Sequence, residues 1–138
     1  MWSDGSCYPN PGGPGGWGVV LESGTLRREL SGSMPKDWSN SNNRAELLAV
    51  INGLKALHGG PHDVTIITDS EYTQRAIVGI KRPKYNFDLL REISELVKQH
   101  RVTVEWVRGH TGNPNNERCD QLALSERERV SEEVGEGA

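Results

Sequence analysis

The chain has 138 residues, 34% of them hydrophobic and 25% charged, with a formal net charge of −3. Its length suits one domain with a real core, and no apolar run approaches the roughly 20 residues of a membrane span. The charge argues against a strongly basic nucleic-acid binder but leaves room for a local basic patch: residues 126–138 hold five Glu and two Arg, which accounts for the whole excess.

Met1-Trp2-Ser3-Asp4 lacks the basic region and apolar stretch of a signal peptide, so a cytoplasmic location is expected. Such a location keeps thiols reduced, and two cysteines, Cys7 and Cys119, are too few for a disulfide framework. Each lies within three residues of an aspartate, Asp4 or Asp120, so they could approach one another if those acids gather.

A short first strand is predicted over residues 1–7. The turn-rich run Pro9-Asn10-Pro11-Gly12-Gly13-Pro14-Gly15-Gly16 then forms a wide hairpin loop. Trp17 to Leu21 reads as a second strand and Leu26 to Met34 as a third, across the turn Glu22-Ser23-Gly24-Thr25. Ser41 or Asn42 can cap a helix running to about His58, with a core stripe of Leu47, Leu48, Ile51, Leu54 and Leu57. Val64 to Thr68 is a β-branched run expected of a strand buried on both faces.

A second helix is predicted over Ser70 to Val78, interrupted by Lys81-Arg82-Pro83-Lys84, and a third over Phe87 to Gln99. Val102, Val104 and Trp106 alternate as a fifth strand, and a last helix covers Asn116 to Arg129. Residues 1–130 read as one domain and 131–138 as an acidic, flexible tail. The order β-β-β-α-β-α-α-β-α implies an α/β protein, a mixed sheet with helices packed on it.

Four acids stand out because each lies at a strand end or on an apolar helix face, where an unpartnered carboxylate is costly. Asp4 precedes Gly5, and Asp69 follows the apolar strand Val64–Thr68. Glu46 shares its helix face with Ala49, Val50 and Gly53, and Asp120 shares one with Ala123 and Leu124. Each also has an ordinary explanation: a turn for Asp4, an N-cap for Asp69, a boundary residue for Glu46, and a favourable acid near a helix start for Asp120. Carboxylates drawn from distant segments are what hard cations such as Mg²⁺ require, which points to metal-dependent chemistry on phosphate.

Read together, Asp4-Gly5-Ser6-Cys7, Asn42-Asn43-Arg44-Ala45-Glu46-Leu47, Thr68-Asp69-Ser70-Glu71-Tyr72 and the segment from Gly109 to Asp120 closely resemble the motifs of type 1 ribonuclease H. Order and spacing match from about residue 3 to residue 125. The resemblance implies a ribonuclease H-like fold, with a five-stranded mixed sheet flanked by helices. It also implies endonucleolytic cleavage of the RNA strand of RNA–DNA hybrids, leaving 5′-phosphate and 3′-hydroxyl ends.

By position, the resemblance implies that Asp4, Glu46, Asp69 and Asp120 bind two Mg²⁺ ions, with Mn²⁺ as a substitute. Asp4 would bridge them. His110 would assist proton transfer or product departure. Gly5, Ser6, Cys7, Asn42, Asn43 and Glu71 would contact the RNA strand, and Asn86 and Ser41 would seat a DNA phosphate. The implied partner is the hybrid itself, bound by a monomer with no membrane association.

The chain departs from the family pattern between the second helix and Asn86. A basic, Trp-rich protrusion common in relatives is reduced to Gly79–Tyr85, with Ile80 where a tryptophan is common and Lys81, Arg82 and Lys84 as remnants. Arg27, Arg28 and Lys36 are candidates to compensate. Two other functions compete with the nuclease: a non-catalytic hybrid-binding module, which would not need clustered carboxylates, and a resolvase or transposase core, which the Asn-Asn-Arg-Ala-Glu-Leu and Gly-His-Thr-Gly sequences fit poorly.

Overall fold

The computed structural model describes residues 1–35, 40–79, 85–109 and 112–136. Along the chain lie β1 (Trp2–Cys7), β2 (Gly15–Ser23), β3 (Leu26–Ser33), α1 (Asn42–Lys55), β4 (Asp63–Thr68), α2 (Glu71–Val78), α3 (Phe87–Val97), β5 (Arg101–Trp106) and α4 (Pro114–Glu136). The strands form one five-stranded sheet in the order β3-β2-β1-β4-β5. β1, β2 and β3 are antiparallel neighbours, while β1 and β4, and β4 and β5, run parallel. The predicted element order and the mixed sheet are both observed.

Two close approaches fix which helix covers which face. Asp4 pairs with Gly18 and Gly5 with Trp17, so adjacent positions project to opposite sides. On one side, a Cβ at Gly5 would lie 2.3 Å from the carbonyl carbon of Ala45, so α1 rests directly on β1. On the other, a Cβ at Gly18 would lie 2.6 Å from the carbonyl oxygen of Cys119, so α4 rests on β2. The core between sheet and α1 gathers Val19, Ala49, Val50, Leu54 and Ile66, and a second cluster joins Leu47 and Ile51 of α1 to Leu89 and Ile93 of α3.

The cysteines therefore stand apart. Cys119 is buried on α4, beside β2, and the Cys7 thiol donates to the carbonyls of Pro9 (3.4 Å) and Gly13 (3.3 Å) in the loop after β1. Both are free.

β4 departs from the expectation of burial on both faces. Val64, Ile66 and Thr68 are buried, but Thr65 is exposed, its hydroxyl 3.3 Å from that of Thr103 on β5. The reason is reach: α4 packs over β1, β2 and β3, leaving the same face of β4 and β5 open.

Helix ends follow local chemistry. Ser41 accepts the Arg44 N–H as the N-cap of α1, and Gly79, at φ 75°, closes α2 in the left-handed region. α4 starts earlier than predicted, because the Asn113 carboxamide oxygen accepts the N–H groups of Asn115 and Asn116, with Pro114 at the first helical position. It also runs past Arg129 to Glu136, a stretch with no proline to end it. No helix among the described residues is long and apolar enough to cross a membrane.

Candidate active site

The sheet brings three of the predicted acids to one point. Asp4 comes from β1, Glu46 from the second turn of α1, and Asp69 from the residue after β4. One carboxylate oxygen from each lies within 4.8 Å of the other two. Asp4 and Glu46 are buried, at 6% and 8% exposure, and Asp69 is half-buried. Asp120 projects from α4 near enough for its charge to act on Asp4, but lies outside the set of three.

Local structure frees these groups from ordinary duties. Ser70, not Asp69, caps α2 by accepting the Thr73 N–H at 3.0 Å. The Asp69 main-chain oxygen accepts the Trp106 indole N–H at 3.0 Å, which fixes the end of β4 against the end of β5. Asp4 accepts the N–H of its own neighbour, Gly5, at 2.9 Å, which leaves the carboxylate facing the other acids. Asp120 lies two turns into α4, beyond the first turn where an acid would favour the helix dipole.

The electrostatics follow from burial and crowding. Desolvation pushes the Asp4 carboxyl up to about 7, against a stabilising hydrogen bond to Glu46, and the charges of Asp69 and Asp120 add to the rise. Glu46 is pushed well above the usual carboxylate range, first by burial and then by Asp4. Its Oε2 is buried with no hydrogen-bond partner among the described residues. Convergent, partly desolvated carboxylate oxygens with one lacking a donor fit a hard divalent cation.

Around this centre, the loop after β1 is tied to the start of α1. The Asn42 carboxamide accepts the Cys7 N–H at 2.8 Å, and the Asn42 N–H donates to the Asn10 side chain at 3.1 Å. Asn40, absent from the sequence-based candidates, is buried and donates to the Gly13 carbonyl at 3.0 Å. The asparagine-rich stretch ahead of α1 was its only signal. Cys7 offers its main chain near the site, since its thiol is turned into the loop and burial raises its pKa.

The remaining predicted residues are spread around the rim. Gly5 and Ser6 are half-buried on β1, and Asn43 is exposed at the start of α1. Ser41 is engaged as the α1 cap. Glu71 is exposed and paired with Arg75 at 3.6 Å. Asn86, at φ 67°, accepts from Arg44 at 3.0 Å and donates to the Tyr72 hydroxyl at 2.9 Å. Arg44 also grips Asp88, at 2.8 Å, so one guanidinium links α1 to the start of α3. His110 lies outside the described residues, as do Ile80, Lys81, Arg82, Lys84 and Lys36.

The sequence profile of the RNase H family matches residues 1–128. The chain belongs to the ribonuclease H family. It is 43% identical over 136 residues to a ribonuclease H of Cupriavidus pinatubonensis, covering 89% of this chain and 90% of that one. It is 39% identical over 143 residues to a ribonuclease H of Nitratidesulfovibrio vulgaris, covering 94% and 88%.

Among solved structures, the N-terminal RNase H domain of a Mycobacterium tuberculosis protein shares the fold, with a TM-score of 0.82 at 24% identity over 96% of this chain and 94% of that one. RNase H1 of Halobacterium salinarum superposes with a TM-score of 0.73 at 28% identity, over 91% and 93%. For this ribonuclease H family member, the three-carboxylate cluster falls on the motif positions that carried the resemblance.

Proposed function

We propose that the chain hydrolyses the RNA strand of RNA–DNA hybrids with the help of divalent cations, Mg²⁺ in the first instance, leaving 5′-phosphate and 3′-hydroxyl ends. The observation that carries this is the convergence of Asp4, Glu46 and Asp69, with the buried Glu46 Oε2 lacking a hydrogen-bond partner among the described residues. Asp4, Glu46, Asp69 and Asp120 would hold two cations, with Mn²⁺ as a substitute for Mg²⁺. Bound there, they would stabilise the charge that phosphoryl transfer spreads over the phosphate oxygens and would acidify water.

The chain's own residues do the positioning. Trp106 holds the main chain of Asp69, and the contact of Gly5 with α1 presses Glu46 toward Asp4. The rim residues Gly5, Ser6, Asn42, Asn43 and Glu71, with the Cys7 main chain, would bind the RNA strand, where the 2′-hydroxyl separates RNA from DNA. Ser41 and Asn86 would seat a phosphate of the DNA strand, and His110 would assist proton transfer or product departure. Residues 1–130 form the catalytic unit in this reading, acting as a cytoplasmic monomer.

A labelled hybrid, with single-stranded RNA, duplex RNA and duplex DNA as controls, tests the reading with and without Mg²⁺. Cutting confined to the hybrid's RNA strand and dependent on metal is expected. Asp69→Asn should lower kcat at least about a hundredfold while hybrid binding persists. Full activity in that variant removes Asp69 from the mechanism, and binding without cutting by the wild type leaves a binding module instead.

Only eight residues, 79–86, separate α2 from α3. Hybrid binding is therefore expected to be weaker and more sensitive to salt than in relatives with a basic protrusion, with the chemical step retained. Michaelis constants across a salt series measure this. A value as low and as indifferent to salt as theirs contradicts it.

A further inference from the structure

Of the three sequence-based candidates to compensate for the reduced protrusion, Lys36 lies outside the described residues, and Arg27 and Arg28 do not reach the site. They lie in the β2–β3 hairpin, at the end of the sheet away from the loop after β1. Arg27 is also neutralised by Glu22, at 4.0 Å, and Glu29, at 3.2 Å. Most other described arginines are likewise spent: Arg44 on Asp88, Arg75 on Glu71, Arg101 on Asp63, Arg118 on Glu29 and Arg129 on Glu126.

Arg127 differs in both respects. It projects from α4 toward the end of β1 that carries Asp4. Its Nη1 donates to the Ser6 hydroxyl at 2.8 Å, and its guanidinium carbon stands 5.6 Å from the centre of the Tyr8 ring. No described carboxylate forms a salt bridge with it; a hydroxyl and an aromatic face orient the charge instead. Tyr8 is 69% exposed, although a ring of that size is costly to leave in water.

Asp4 and Ser6 lie on the same face of β1, two residues and so about 7 Å apart, with Tyr8 just beyond the strand end. That separation is on the order of one phosphate-to-phosphate step along a strand. A planar, un-neutralised guanidinium suits a phosphate oxygen, and an exposed ring suits the face of a base or sugar.

We propose that Arg127 and Tyr8 form a nucleic-acid-binding subsite beside the carboxylate cluster, Arg127 holding a backbone phosphate and Tyr8 packing on the adjoining nucleotide. The inference rests on the proposed hybrid cleavage and deepens it: the subsite supplies, from α4 and the loop after β1, cationic and aromatic contact that the short α2–α3 connection has little room for. Neither residue is part of a motif that carried the family resemblance. Ser6 couples the subsite to β1 through its hydrogen bond to Arg127.

The test uses the full chain and a labelled RNA–DNA hybrid. Binding is measured by anisotropy in EDTA, and KM and kcat are measured separately in Mg²⁺ across a salt series. Arg127→Gln should weaken binding and raise KM about five- to tenfold at moderate salt, with the effect falling on KM rather than kcat. It should also lower the slope of log affinity against log salt by about one, as loss of one phosphate contact requires. Arg127→Lys should keep the slope and lose only part of the affinity, and Tyr8→Leu should weaken binding about threefold or more with the slope unchanged.

Melting temperatures establish that each variant is folded, and Arg127→Lys carries the test if Arg127→Gln is not. Wild-type affinity and slope in Arg127→Gln overturn the proposal, as does a loss confined to kcat. Cleavage by the wild type with no effect of these variants removes the subsite alone, whereas a wild type that neither binds nor cuts the hybrid removes the underlying reading of function.

Discussion

Asp4→Asn is expected to abolish metal-dependent cleavage and, in the absence of divalent cations, to make the protein more stable. The folded chain holds the Asp4 carboxyl at about 7, raised chiefly by burial and then by neighbouring acids. An unfolded aspartate ionises near about 3.9. A group whose folded pKa is raised contributes stability that is complete below its unfolded pKa and is lost as pH rises through the folded one. The metal-free wild type should therefore lose stability steadily between about pH 4 and pH 7, by up to roughly 1.4 kcal/mol for each step of one in pH.

The asparagine carries no charge, so its melting temperature should fall less over that window, where Glu46 is still raised by burial, and should exceed the wild type's at pH 8 by several degrees, on the order of 2 kcal/mol. Glu46→Gln should act in the same direction, since Glu46 is also raised by burial and by Asp4. Glu29, Asp63 and Asp88 have lowered pKa values from Arg118, Arg101 and Arg44, so their contributions are lost only as pH falls below the ordinary carboxylate range. They leave the upper window to the cluster and to the buried Met1 amine, whose lowered pKa acts in the opposite direction and is common to wild type and variant. Mg²⁺ should raise the wild-type melting temperature at pH 8 and leave Asp4→Asn nearly unmoved, by mass action on the folded state. A metal-free wild type more stable at pH 8 than Asp4→Asn would remove the cluster's electrostatic strain.

Gly5→Ala is the second large effect. The new methyl would lie 2.3 Å from the Ala45 carbonyl carbon and 2.4 Å from the Glu46 nitrogen, both main-chain atoms in the middle of a helix turn. No rotamer change relieves such a contact, so α1 must shift away from β1. A loss of about 3 kcal/mol is expected from overpacking, and because Glu46 rides on the displaced turn, kcat should fall at least about tenfold in any protein that still folds. The double variant Gly5→Ala with Ala45→Gly should not recover, since the nearest atoms are backbone and not the Ala45 methyl. Thermal melts and single-turnover rates decide this. Recovery in the double variant would place the clash in the side chain and leave the backbone approach unneeded.

Much of the fold was legible because the local signals were redundant. Val64–Thr68 is β-branched, Leu47 to Leu57 repeats at helical spacing, and glycine and proline punctuate the connections. The misjudged features all depended on partners distant in sequence or on cap geometry. β4 reads as doubly buried because its composition is apolar, yet Thr65 is exposed because α4 covers only β1 to β3. The start of α4 moved to Pro114 through the Asn113 side chain, a hydrogen bond that periodicity does not register.

The candidate site divides in the same way. The motifs flanking Asp4, Glu46, Asp69 and Asp120 pointed to those residues from sequence order and spacing, since each is embedded in a stretch whose chemistry is local. Their ordinary explanations could be weighed only in three dimensions. Asp69 does not cap α2 because Ser70 does, and Glu46 is costly where it stands because Gly5 draws α1 onto the strand beside Asp4. Sequence by itself determined the elements, the family and the acids worth watching. Tertiary structure decided which charges are buried together, which arginines are already neutralised, and that Arg127 meets a hydroxyl and an aromatic ring, because desolvation and ion pairing depend on distances between segments that the order of residues does not contain.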